Sequence, residues 1–428
     1  MASFYETVFI GGGISCLAAA RAHRGDAILL ERDQRPGGLC RTDSVEGFSF
    51  DRTGHLLHLR DPRVRVLIKR LLRGNLRELT RDSWIFSHGV YTRYPYQAHF
   101  YGLPPGVAAE CLLGVLRAQG RKQRARPANF AAWVRDRFGE GVARHFMFPY
   151  NRKLWTVAPA SLTTEWLQRF VPKPDLEQVV RGAFEDLPDQ SGYNARFFYP
   201  RRGGIEVLPA ALARGVAKME CGVDVREIDI KSRRLVTGSG DRVGFGRLVS
   251  CVPLPELIKM IRPVPERVRK AAGKLRWSSV YNLNMGLRGV RTDRHWVYVP
   301  EERFTLYRFG FANNFSADVA PRGAANIYCE AAYSKRRPID QKKIKKRVID
   351  DLLAMRVIES RKDIILTHEF RLPYAYVTYD KNRRRSVGIL LKFLQSQDIH
   401  SIGRYGRWEY GSMEDAISQG LELAATLS

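Results

Sequence analysis

The first 31 residues contain the pattern that most constrains how this chain can fold. A short apolar run at residues 8–10 ends at the glycines of residues 11–13, and an alanine-rich segment follows at residues 14–23. A second apolar run, at residues 27–30, ends at Glu31. This order of strand, glycine turn, helix, strand and acidic residue predicts a βαβ unit that binds a dinucleotide. A glycine turn that arose by chance is the alternative interpretation.

Each part of this pattern has a physical role in dinucleotide binding. Glycines such as Gly11 and Gly13 let the backbone turn tightly and approach a pyrophosphate, which the helix N-terminus attracts. Glu31 is placed to accept hydrogen bonds from ribose hydroxyls. Cys16 stands at the third glycine position, and we expect its small thiol to permit the close packing of helix on strand.

The remainder of the chain predicts that the nucleotide-binding domain is assembled from separate pieces. Residues 62–190 have a mostly helical pattern, with helices expected at 64–72, 106–119, 130–138 and 162–170. Short β runs return at 222–252, and further β runs at 278–379 alternate with turns around a basic helix near 342–355. We therefore predict segments 1–61, 191–270 and 396–428 for nucleotide binding, 62–190 as a helical insertion on the substrate side, and 271–395 as a β-sheet substrate domain.

Composition limits the classes of protein that this chain can belong to. With 428 residues, 44% of them hydrophobic and 27% charged, the chain suits two or three globular domains and not a disordered protein. Its formal net charge of +27 favours anionic partners. The six cysteines are scattered, no apolar run is long enough to span a membrane and the N-terminus does not resemble a signal peptide, so we expect a reduced, cytoplasmic protein.

Several kinds of catalysis lack their sequence patterns. The chain has no His-x-x-x-His, no Cys-x-x-Cys, no Gly-x-Ser-x-Gly and no Walker sequence. No metal site is expected, and we predict that a bound cofactor supplies the reactivity.

The order of the other motifs resembles a known family, the UDP-galactopyranose mutases. The motifs that carry this resemblance are Gly11-Gly12-Gly13, Gly37-Gly38, Gly54-His55, Tyr94-Pro95-Tyr96-Gln97 with Leu103-Pro104, Pro149-Tyr150-Asn151 with Trp155, Pro200-Arg201-Arg202-Gly203-Gly204, and Gly403-Arg404-Tyr405-Gly406 with Trp408 and Tyr410. They extend over nearly the whole chain. The nucleotide-binding start is shared with amine oxidases and protoporphyrinogen oxidases, whereas the internal motifs are more specific to the mutases.

The resemblance implies an α/β fold with a Rossmann-type FAD-binding domain, a helical subdomain and an antiparallel sheet. It implies non-covalent FAD, active in its reduced form and supplied with electrons by NAD(P)H or another reductant. Reduced flavin N5 would attack the anomeric carbon of a UDP-sugar and displace UDP, and the sugar ring would open and reclose before UDP returns. By position, the FAD contacts would be Gly11, Gly13, Ser15, Glu31, Gly38, Leu39, Gly54, Val225, Gly403, Arg404, Met413 and Asp415.

The same resemblance implies a set of substrate residues. Tyr94, Tyr96, Gln97, Asn151 and Trp155 would line the uridine side. Arg169 and Arg288 would clamp the diphosphate together with Tyr376 and Tyr410, and His55 would face the flavin. Tyr298 and Trp277 would lie on the sugar side. His55, Arg169 and Arg288 are the catalytic candidates.

Three departures from the family pattern lie near the flavin or the sugar. Thr53 stands where the family loop usually has a second glycine, Trp277 replaces a sugar-side tyrosine, and Met413 replaces an asparagine. These three departures leave the identity of the sugar and its ring isomers open. The residues implied to bind the uridine and the diphosphate, in contrast, match the family pattern.

Two other interpretations remain open. One is a flavin oxidoreductase of the amine-oxidase or protoporphyrinogen-oxidase type. The other is a nucleic-acid or membrane-surface binding protein, based on basic runs at residues 121–126, 335–337, 342–347 and 383–385. We expect a UDP-sugar partner and no nucleic acid. Residues 106–119 with the run that follows them are either an amphipathic anchor on an acidic membrane surface or a core helix of the insertion.

Overall fold

The computed structural model describes residues 3–120, 127–167, 171–187 and 195–427. Arg169, one of the expected diphosphate ligands, lies outside these residues. The strands are β1 (Ser3–Ile10), β2 (Ala27–Glu31), β3 (Thr42–Val45), β4 (Phe48–Asp51), β5 (Arg77–Thr80), β6 (Ser83–Ser87), β7 (Val90–Arg93), β8 (Arg196–Tyr199), β9 (Met219–Cys221), β10 (Val225–Asp229), β11 (Arg234–Thr237), β12 (Arg242–Ser250), β13 (Ile261–Arg262), β14 (Trp277–Arg288), β15 (Trp296–Tyr298), β16 (Arg308–Phe311), β17 (Ala324–Tyr333), β18 (Ile364–Val377) and β19 (Ile399–Ser401).

Helices connect these strands and cover the sheets. They are α1 (Ile14–Ala22), α2 (Pro62–Leu72), α3 (Pro105–Gln119), α4 (Phe130–Val142), α5 (Phe148–Trp155), α6 (Leu176–Phe184), α7 (Val207–Ala213), α8 (Leu254–Met260), α9 (Glu266–Ala272), α10 (Ile344–Ala354), α11 (Arg383–Ser396), α12 (Gly403–Gly406) and α13 (Met413–Leu427). Within the described ranges, no helix is both long and apolar enough to cross a membrane.

The first sheet contains the predicted βαβ unit. Its strand order is β13-β10-β11-β12-β1-β2-β9, and β19 pairs with β12. β1 lies between β12 and β2 and is parallel to both. Strands from the beginning, the middle and the end of the chain therefore build one sheet, which confirms the prediction of a Rossmann-type domain assembled from discontinuous segments.

Cys16 fits the helix–strand interface at the position where a third glycine was expected. Its side chain is buried, and its Sγ lies 3.8 Å from Ile10 O and 4.0 Å from Val249 O. On its other side, α1 packs so closely on α13 that a Cβ on Gly420 would lie 2.3 Å from Ser15 O. The glycine that allows the closest approach of α1 is therefore supplied by α13.

The second sheet has the order β18-β14-β17-β16-β15-β6-β7. Its neighbours are antiparallel apart from β15 and β6, which are parallel. β14 pairs along almost its whole length with β17 and β18, and most of its side chains are buried on both faces. The antiparallel substrate sheet predicted from the sequence is thus present, and β6 and β7 join it from an earlier part of the chain.

The stretch 62–190 differs from its predicted pattern in two places. It contains β5, β6 and β7 in addition to helices, and His88 and Gly89 connect β6 to β7 with positive φ angles of 54° and 79°. The helix expected at 162–170 is absent from residues 162–167. There the backbone bonds to other elements, because Leu162 O accepts from Phe130 N at 2.8 Å and Thr163 N donates to Tyr379 O at 2.7 Å.

Candidate active-site cavity

A cavity of about 970 Å³ extends from the first sheet to the second. This volume lies at the upper end of the range for ligand sites. Most of the residues predicted from the sequence contribute to its wall: Gly11, Gly13, Ser15, Glu31, Gly38, Leu39, Gly54, His55, Tyr94, Gln97, Asn151, Val225, Tyr298, Tyr376, Gly403, Arg404, Tyr410 and Met413. We refer to the part formed by Gly11, Gly13, Glu31, Gly38 and Gly403 as the glycine wall, and to the part formed by Tyr94, Tyr150, Tyr298, Tyr307, Arg308, Tyr376 and Tyr410 as the tyrosine wall.

Backbone geometry shapes the glycine wall. Gly11 has a φ of 91°, and a Cβ there would lie 3.1 Å from Cys251 Sγ. A Cβ on Gly12 would lie 2.8 Å from Pro36 Cβ, and Gly12 O accepts from Gly37 N at 2.7 Å. The two glycine turns therefore pack directly against each other and leave the N-terminus of α1 open to the cavity.

Glu31 ends β2 with its carboxylate in the cavity wall. One oxygen accepts from the backbone N–H of Gly12, and the other accepts from Asp33 N at 2.8 Å. Each oxygen keeps acceptor capacity for a further donor. Glu31 O accepts from Val223 N at 2.9 Å, which brings Val225 of β10 beside the same site.

The C-terminal segment closes the glycine wall. Gly403 has a φ of 77°, and a Cβ there would lie 2.3 Å from Ser15 Oγ. Met413 lines the cavity at the start of α13. Asp415, predicted as a cofactor contact, is not part of the wall, and its Oδ2 accepts from Ser412 N at 2.6 Å. Its position on the first turn explains the difference, because a carboxylate there caps the orphan backbone donors of the helix.

These features fit a bound dinucleotide. The N-terminus of α1 faces the cavity, and the glycines that precede it, Gly11 and Gly12, have close neighbours where a side chain would lie. The carboxylate of Glu31 lies at the end of β2. Backbone donors and a positive dipole end suit a pyrophosphate, and the carboxylate suits ribose hydroxyls.

Tyr376 is at the centre of the tyrosine wall. Its hydroxyl lies 3.4 Å from that of Tyr307, and its ring centroid lies 6.0 Å from that of Tyr410 and 5.8 Å from that of Trp155. Burial raises the pKa of the Tyr376 and Tyr307 hydroxyls. These hydroxyls therefore stay protonated at neutral pH and can donate to an anion.

Arg308 provides the cation of the tyrosine wall. It stands on β16 directly opposite Glu330 of β17, and Glu330 is fully buried. Arg308 Nε and Nη2 donate to the two carboxylate oxygens at 2.9 and 2.8 Å. Gly54 N donates to the same carboxylate at 3.3 Å. Glu330 thus fixes the guanidinium and joins it to the loop that carries His55.

Arg288 does not belong to the cavity wall, so the structure does not bring it together with the other residues predicted to bind the diphosphate. It is the last residue of β14, its side chain is exposed, and it is not part of the cavity wall. The register of the second sheet places it opposite Ala324, whereas Arg308 faces Glu330 further along β17. The available signal was a pair of opposite charges, Arg308 and Glu330, in two strands that carry no other charged residue.

Three predicted substrate residues lie behind the wall and support it. Tyr96 is fully buried and stacks on Phe146 with centroids 5.0 Å apart. Trp155 donates from Nε1 to Asn151 Oδ1 at 3.0 Å. Trp277 stacks on Tyr374, which does line the cavity, at 4.8 Å. Their rings are large enough to form the packing layer beneath the wall. Residues of the wall that the sequence does not indicate as contacts include Tyr150, Trp166, Tyr307, Arg308 and Tyr374.

His55 lies in the cavity wall on a tightly packed loop. Burial lowers its pKa from 6.5 to about 4, so the imidazole is neutral at pH 7. Thr53 Oγ1 lies 3.5 Å from His55 Nδ1. Thr53 has a φ of 79°, and a Cβ on Gly54 would lie 2.6 Å from Tyr328 Oη. Thr53 therefore occupies backbone space that glycine adopts without strain.

Solved structures similar to this one include a mutase and two oxidases. A reduced UDP-galactopyranose mutase has a TM-score of 0.93 and 28% identity, over 99% of this chain and 95% of its own. A protein from Exiguobacterium sp. 255-15 assigned as a protoporphyrinogen oxidase has a TM-score of 0.76 and 16% identity, over 100% of this chain and 99% of its own. Putrescine oxidase with bound putrescine has a TM-score of 0.67 and 15% identity, again over 100% and 99%. The last two show the fold alone.

The sequence profile of one family matches nearly the whole chain, at residues 15–428. Together with the likeness to a UDP-galactopyranose mutase, this match shows that the cofactor of the chain is FAD. The chain belongs to the flavin containing amine oxidoreductases and is a UDP-galactopyranose mutase-like flavoprotein within that superfamily.

Proposed function

We propose that this protein is an FAD-dependent mutase that interconverts the pyranose and furanose forms of a UDP-sugar. The observation that carries the proposal is Arg308, a cation held among protonated tyrosine hydroxyls in the same cavity as the glycine wall. Such a set suits a diphosphate that must lie beside a flavin. The likeness to a reduced UDP-galactopyranose mutase supports the same reaction.

Arg308 and the tyrosines would bind the diphosphate. A guanidinium keeps its charge and donates in a fixed plane, which matches phosphate oxygens. Glu330 takes Nε and Nη2, and Nη1 makes no hydrogen bond to the described part of the chain. The hydroxyls of Tyr376 and Tyr410 would add further donors. Arg169 stays in the proposal as a second cation.

Gln97 and Asn151 would define the uridine side. Gln97 Nε2 donates to Pro172 O at 2.8 Å, whereas its buried Oε1 has no partner among the described residues. That oxygen is therefore available to accept from the base. Asn151 is fixed at both ends, since Nδ2 donates to Met147 O at 2.8 Å and Oδ1 accepts from Trp155. Because both ends of its amide are already hydrogen-bonded within the protein, Asn151 would shape the uridine site and would not itself hydrogen-bond the base.

The reduced flavin would supply the nucleophile that displaces UDP from the anomeric carbon. His55 would face it as a neutral imidazole, with Nδ1 toward Thr53 and Nε2 able to donate or accept one hydrogen bond. NAD(P)H or another reductant would keep the flavin reduced, and a cytoplasmic location remains our expectation.

The oxidoreductase alternative places different demands on the tyrosine wall. A cationic amine would approach Arg308 and Arg404, and the Glu330 carboxylate that could attract it is already paired with Arg308. The charge of this wall therefore favours an anionic substrate.

One turnover experiment tests the proposal. Anaerobic protein reduced with dithionite is incubated with a panel of UDP-sugars, including UDP-galactopyranose, and the products are separated by chromatography. We expect ring isomers of one UDP-sugar, no net oxidation, and no turnover by the oxidised protein. Stoichiometric substrate oxidation with release of hydrogen peroxide would instead assign the chain to the oxidoreductase alternative. Parallel arms with NADH or NADPH in place of dithionite test the reductant.

A further inference from the structure

A second cavity, of about 410 Å³, lies between α5 and α10. Its volume is within the range of ligand sites. Lys153 of α5 and Arg347 and Asp351 of α10 contribute to its wall, together with residues 302–305 and 337–340. Among the described residues, none belongs both to this wall and to the wall of the active-site cavity. We call this separate cavity the α5–α10 pocket.

Two charged side chains in the wall of the α5–α10 pocket are buried. Lys153 is 3% exposed and Asp351 is 8% exposed. Lys153 Nζ donates to Val299 O at 2.8 Å and also to Leu306 O. Asp351 Oδ2 accepts from the backbone N–H groups of Thr305 and Leu306 at 2.6 and 3.1 Å. The chain segment before β16 is therefore fixed from both helices, and the pocket is a preformed part of the fold.

The carboxylates of this wall already have cations beside them. Three of them form ion pairs, which are Glu302 with Arg152, Asp340 with Lys343, and Asp350 with Arg361. The fourth, Asp351, has the charge of Lys153 near it. Among the arginines of the wall, Arg303 pairs with Glu301 at 2.8 Å. Arg337 and Arg347, in contrast, have no carboxylate partner among the residues that the structure describes.

The two arginines without a carboxylate partner decide which kind of ligand the pocket suits. Arg347 is exposed and Arg337 is half-buried, so both can meet a ligand that enters from solvent. Arg337 Nη1 donates to Arg152 O at 3.1 Å, and its other guanidinium N–H groups have no acceptor within the described part of the chain. Guanidinium groups keep their charge and match phosphate oxygens in geometry. A metal ion is disfavoured, because no three His, Cys, Asp or Glu side chains of the described residues are grouped to hold one.

We propose that the α5–α10 pocket binds a small phosphate-bearing anion, with Arg337 and Arg347 as the groups that hold the phosphate. Inorganic pyrophosphate and phosphate esters share this chemistry. The ligand occupies a site of its own, and its binding does not depend on the mutase reaction. Since α5 also carries Asn151 into the wall of the active-site cavity, one helix separates this ligand from the uridine side.

The first test titrates the FAD-loaded protein with inorganic pyrophosphate by isothermal calorimetry at constant ionic strength. We expect saturable binding, which the double variant Arg337→Gln/Arg347→Gln should weaken about tenfold or more, because each arginine loses a charged hydrogen bond to the ligand. The matched control is Arg336→Gln/Lys346→Gln. It removes the same charge from exposed neighbours outside the wall and should leave binding unchanged. No saturable binding by the parent protein, or equal losses in both variants, would overturn the proposal.

The second test separates the α5–α10 pocket from the tyrosine wall, where pyrophosphate could also bind. Arg308→Ala should keep the binding that Arg337→Gln/Arg347→Gln loses. If Arg308→Ala abolished all pyrophosphate binding and the double variant retained it, the anion would bind only at the tyrosine wall. That result would overturn this proposal and support the proposed function. Pyrophosphate binding that requires Arg337 and Arg347, in a parent protein that does not bind UDP, would keep this proposal and reject the proposed function.

The third test determines the sign of the ligand charge. Asp351→Asn removes a negative charge from the wall and keeps an acceptor oxygen for the backbone N–H groups of Thr305 and Leu306. Pyrophosphate should therefore bind roughly twofold to fivefold more tightly. Weaker pyrophosphate binding by this variant, or saturable Ca²⁺ binding by the parent protein that the variant loses, would assign the pocket to a cation and overturn the proposal.

Further arms of the titration identify the source of the phosphate group. Inorganic phosphate and glucose 1-phosphate replace pyrophosphate, and the tighter of the three probes shows whether the pocket suits a free phosphate or an ester. Each probe that binds should lose affinity in Arg337→Gln/Arg347→Gln. A probe whose affinity is the same in the parent protein and in this variant would place its site elsewhere and contradict the proposal for that ligand. Retained flavin and unchanged thermal unfolding confirm that each variant is folded.

Discussion

The glycine wall and the tyrosine wall of the cavity are built on different principles. The glycine wall depends on backbone conformation, as at Gly11 and Gly403, where positive φ angles and close neighbours exclude side chains. The tyrosine wall depends on side chains such as Arg308 and Tyr376, which come from separate strands of the second sheet. The first wall is therefore encoded in short contiguous motifs, whereas the second depends on strand register.

This difference predicts how each wall responds to mutation. A side chain added to the glycine wall should disturb cofactor binding through sterics. A side chain removed from the tyrosine wall should weaken nucleotide binding through lost hydrogen bonds and should leave FAD in place.

The largest effect is expected for Gly11→Val. The new side chain would meet Cys251 and Val252 and would force a β-branched residue to a φ of 91°. We expect purified protein without flavin absorbance, and a loss of FAD affinity of at least a hundredfold. The measurement is titration of apoprotein with FAD.

Gly289→Val is the matched control for this substitution. Gly289 has a φ of 75°, but no atom lies within 4 Å of its Cβ position. Strain of roughly 1–3 kcal/mol should lower stability without loss of FAD. Equal FAD loss in both variants would mean that backbone strain, and not the glycine wall, controls binding.

An intermediate effect is expected at Arg308. A hydrogen bond to a charged group contributes roughly 1.5–3 kcal/mol, so Arg308→Ala should weaken UDP binding about tenfold to a hundredfold. Arg308→Lys should restore part of the affinity, because a point charge can pair with Glu330 but lacks the planar fork. Titration of the holoprotein with UDP, followed by flavin fluorescence, measures both.

Arg288→Ala provides the control from the second sheet. Its exposed side chain at the end of β14 should have no influence on UDP affinity. If Arg288→Ala weakened binding and Arg308→Ala did not, the assignment of the tyrosine wall would be wrong. Thermal unfolding is followed in parallel, because alanine at position 308 leaves the buried Glu330 without its cation.

The smallest effect concerns the loop between the two walls. The pKa of His55 is about 4 in the folded protein and 6.5 in its ordinary range. Between these values the unfolded state binds a proton at His55 that the folded state does not, so the contribution of His55 to the free energy of unfolding should fall as the pH is lowered from about 6.5 toward 4. His55→Gln should make the free energy of unfolding less dependent on pH in this range. The reduction should correspond to at most one proton bound on unfolding.

Part of that slope should persist in His55→Gln. His295, buried outside the cavity wall, also has a pKa lowered by burial to about 4. Urea unfolding of both proteins at several pH values measures the difference. Identical slopes would show that His55 is as exposed to solvent in the folded protein as in the unfolded one.

The contrast between the walls also explains what could be predicted from the sequence. Gly11, Glu31 and Gly403 lie in the motifs that anticipated them, because backbone recognition needs neighbouring residues in a fixed order. The sequence does not distinguish Arg288 from Arg308, because the register of β14, β16 and β17 cannot be read from any one strand. That register decides which charge faces the cavity.

Buried supporting residues were also difficult to separate from contacts. Trp155 and Trp166 are both tryptophans in the same aromatic cluster, with centroids 5.0 Å apart, yet only Trp166 reaches the cavity wall. Which of the two tryptophans reaches the cavity depends on how α5 packs against its neighbours, and a sequence pattern does not reveal this packing. The hairpin of β6 and β7 had a local signal in the His88-Gly89 turn, which joins two β-prone runs.

A crystal structure of the reduced holoprotein with UDP tests most directly the claim that one cavity holds FAD against the glycine wall and the nucleotide diphosphate against the tyrosine wall. We predict that the FAD pyrophosphate contacts the N-terminus of α1 and that the UDP diphosphate accepts hydrogen bonds from Arg308, Tyr376 and Tyr410. A diphosphate bound elsewhere, with Arg308 still paired only to Glu330, would contradict the account.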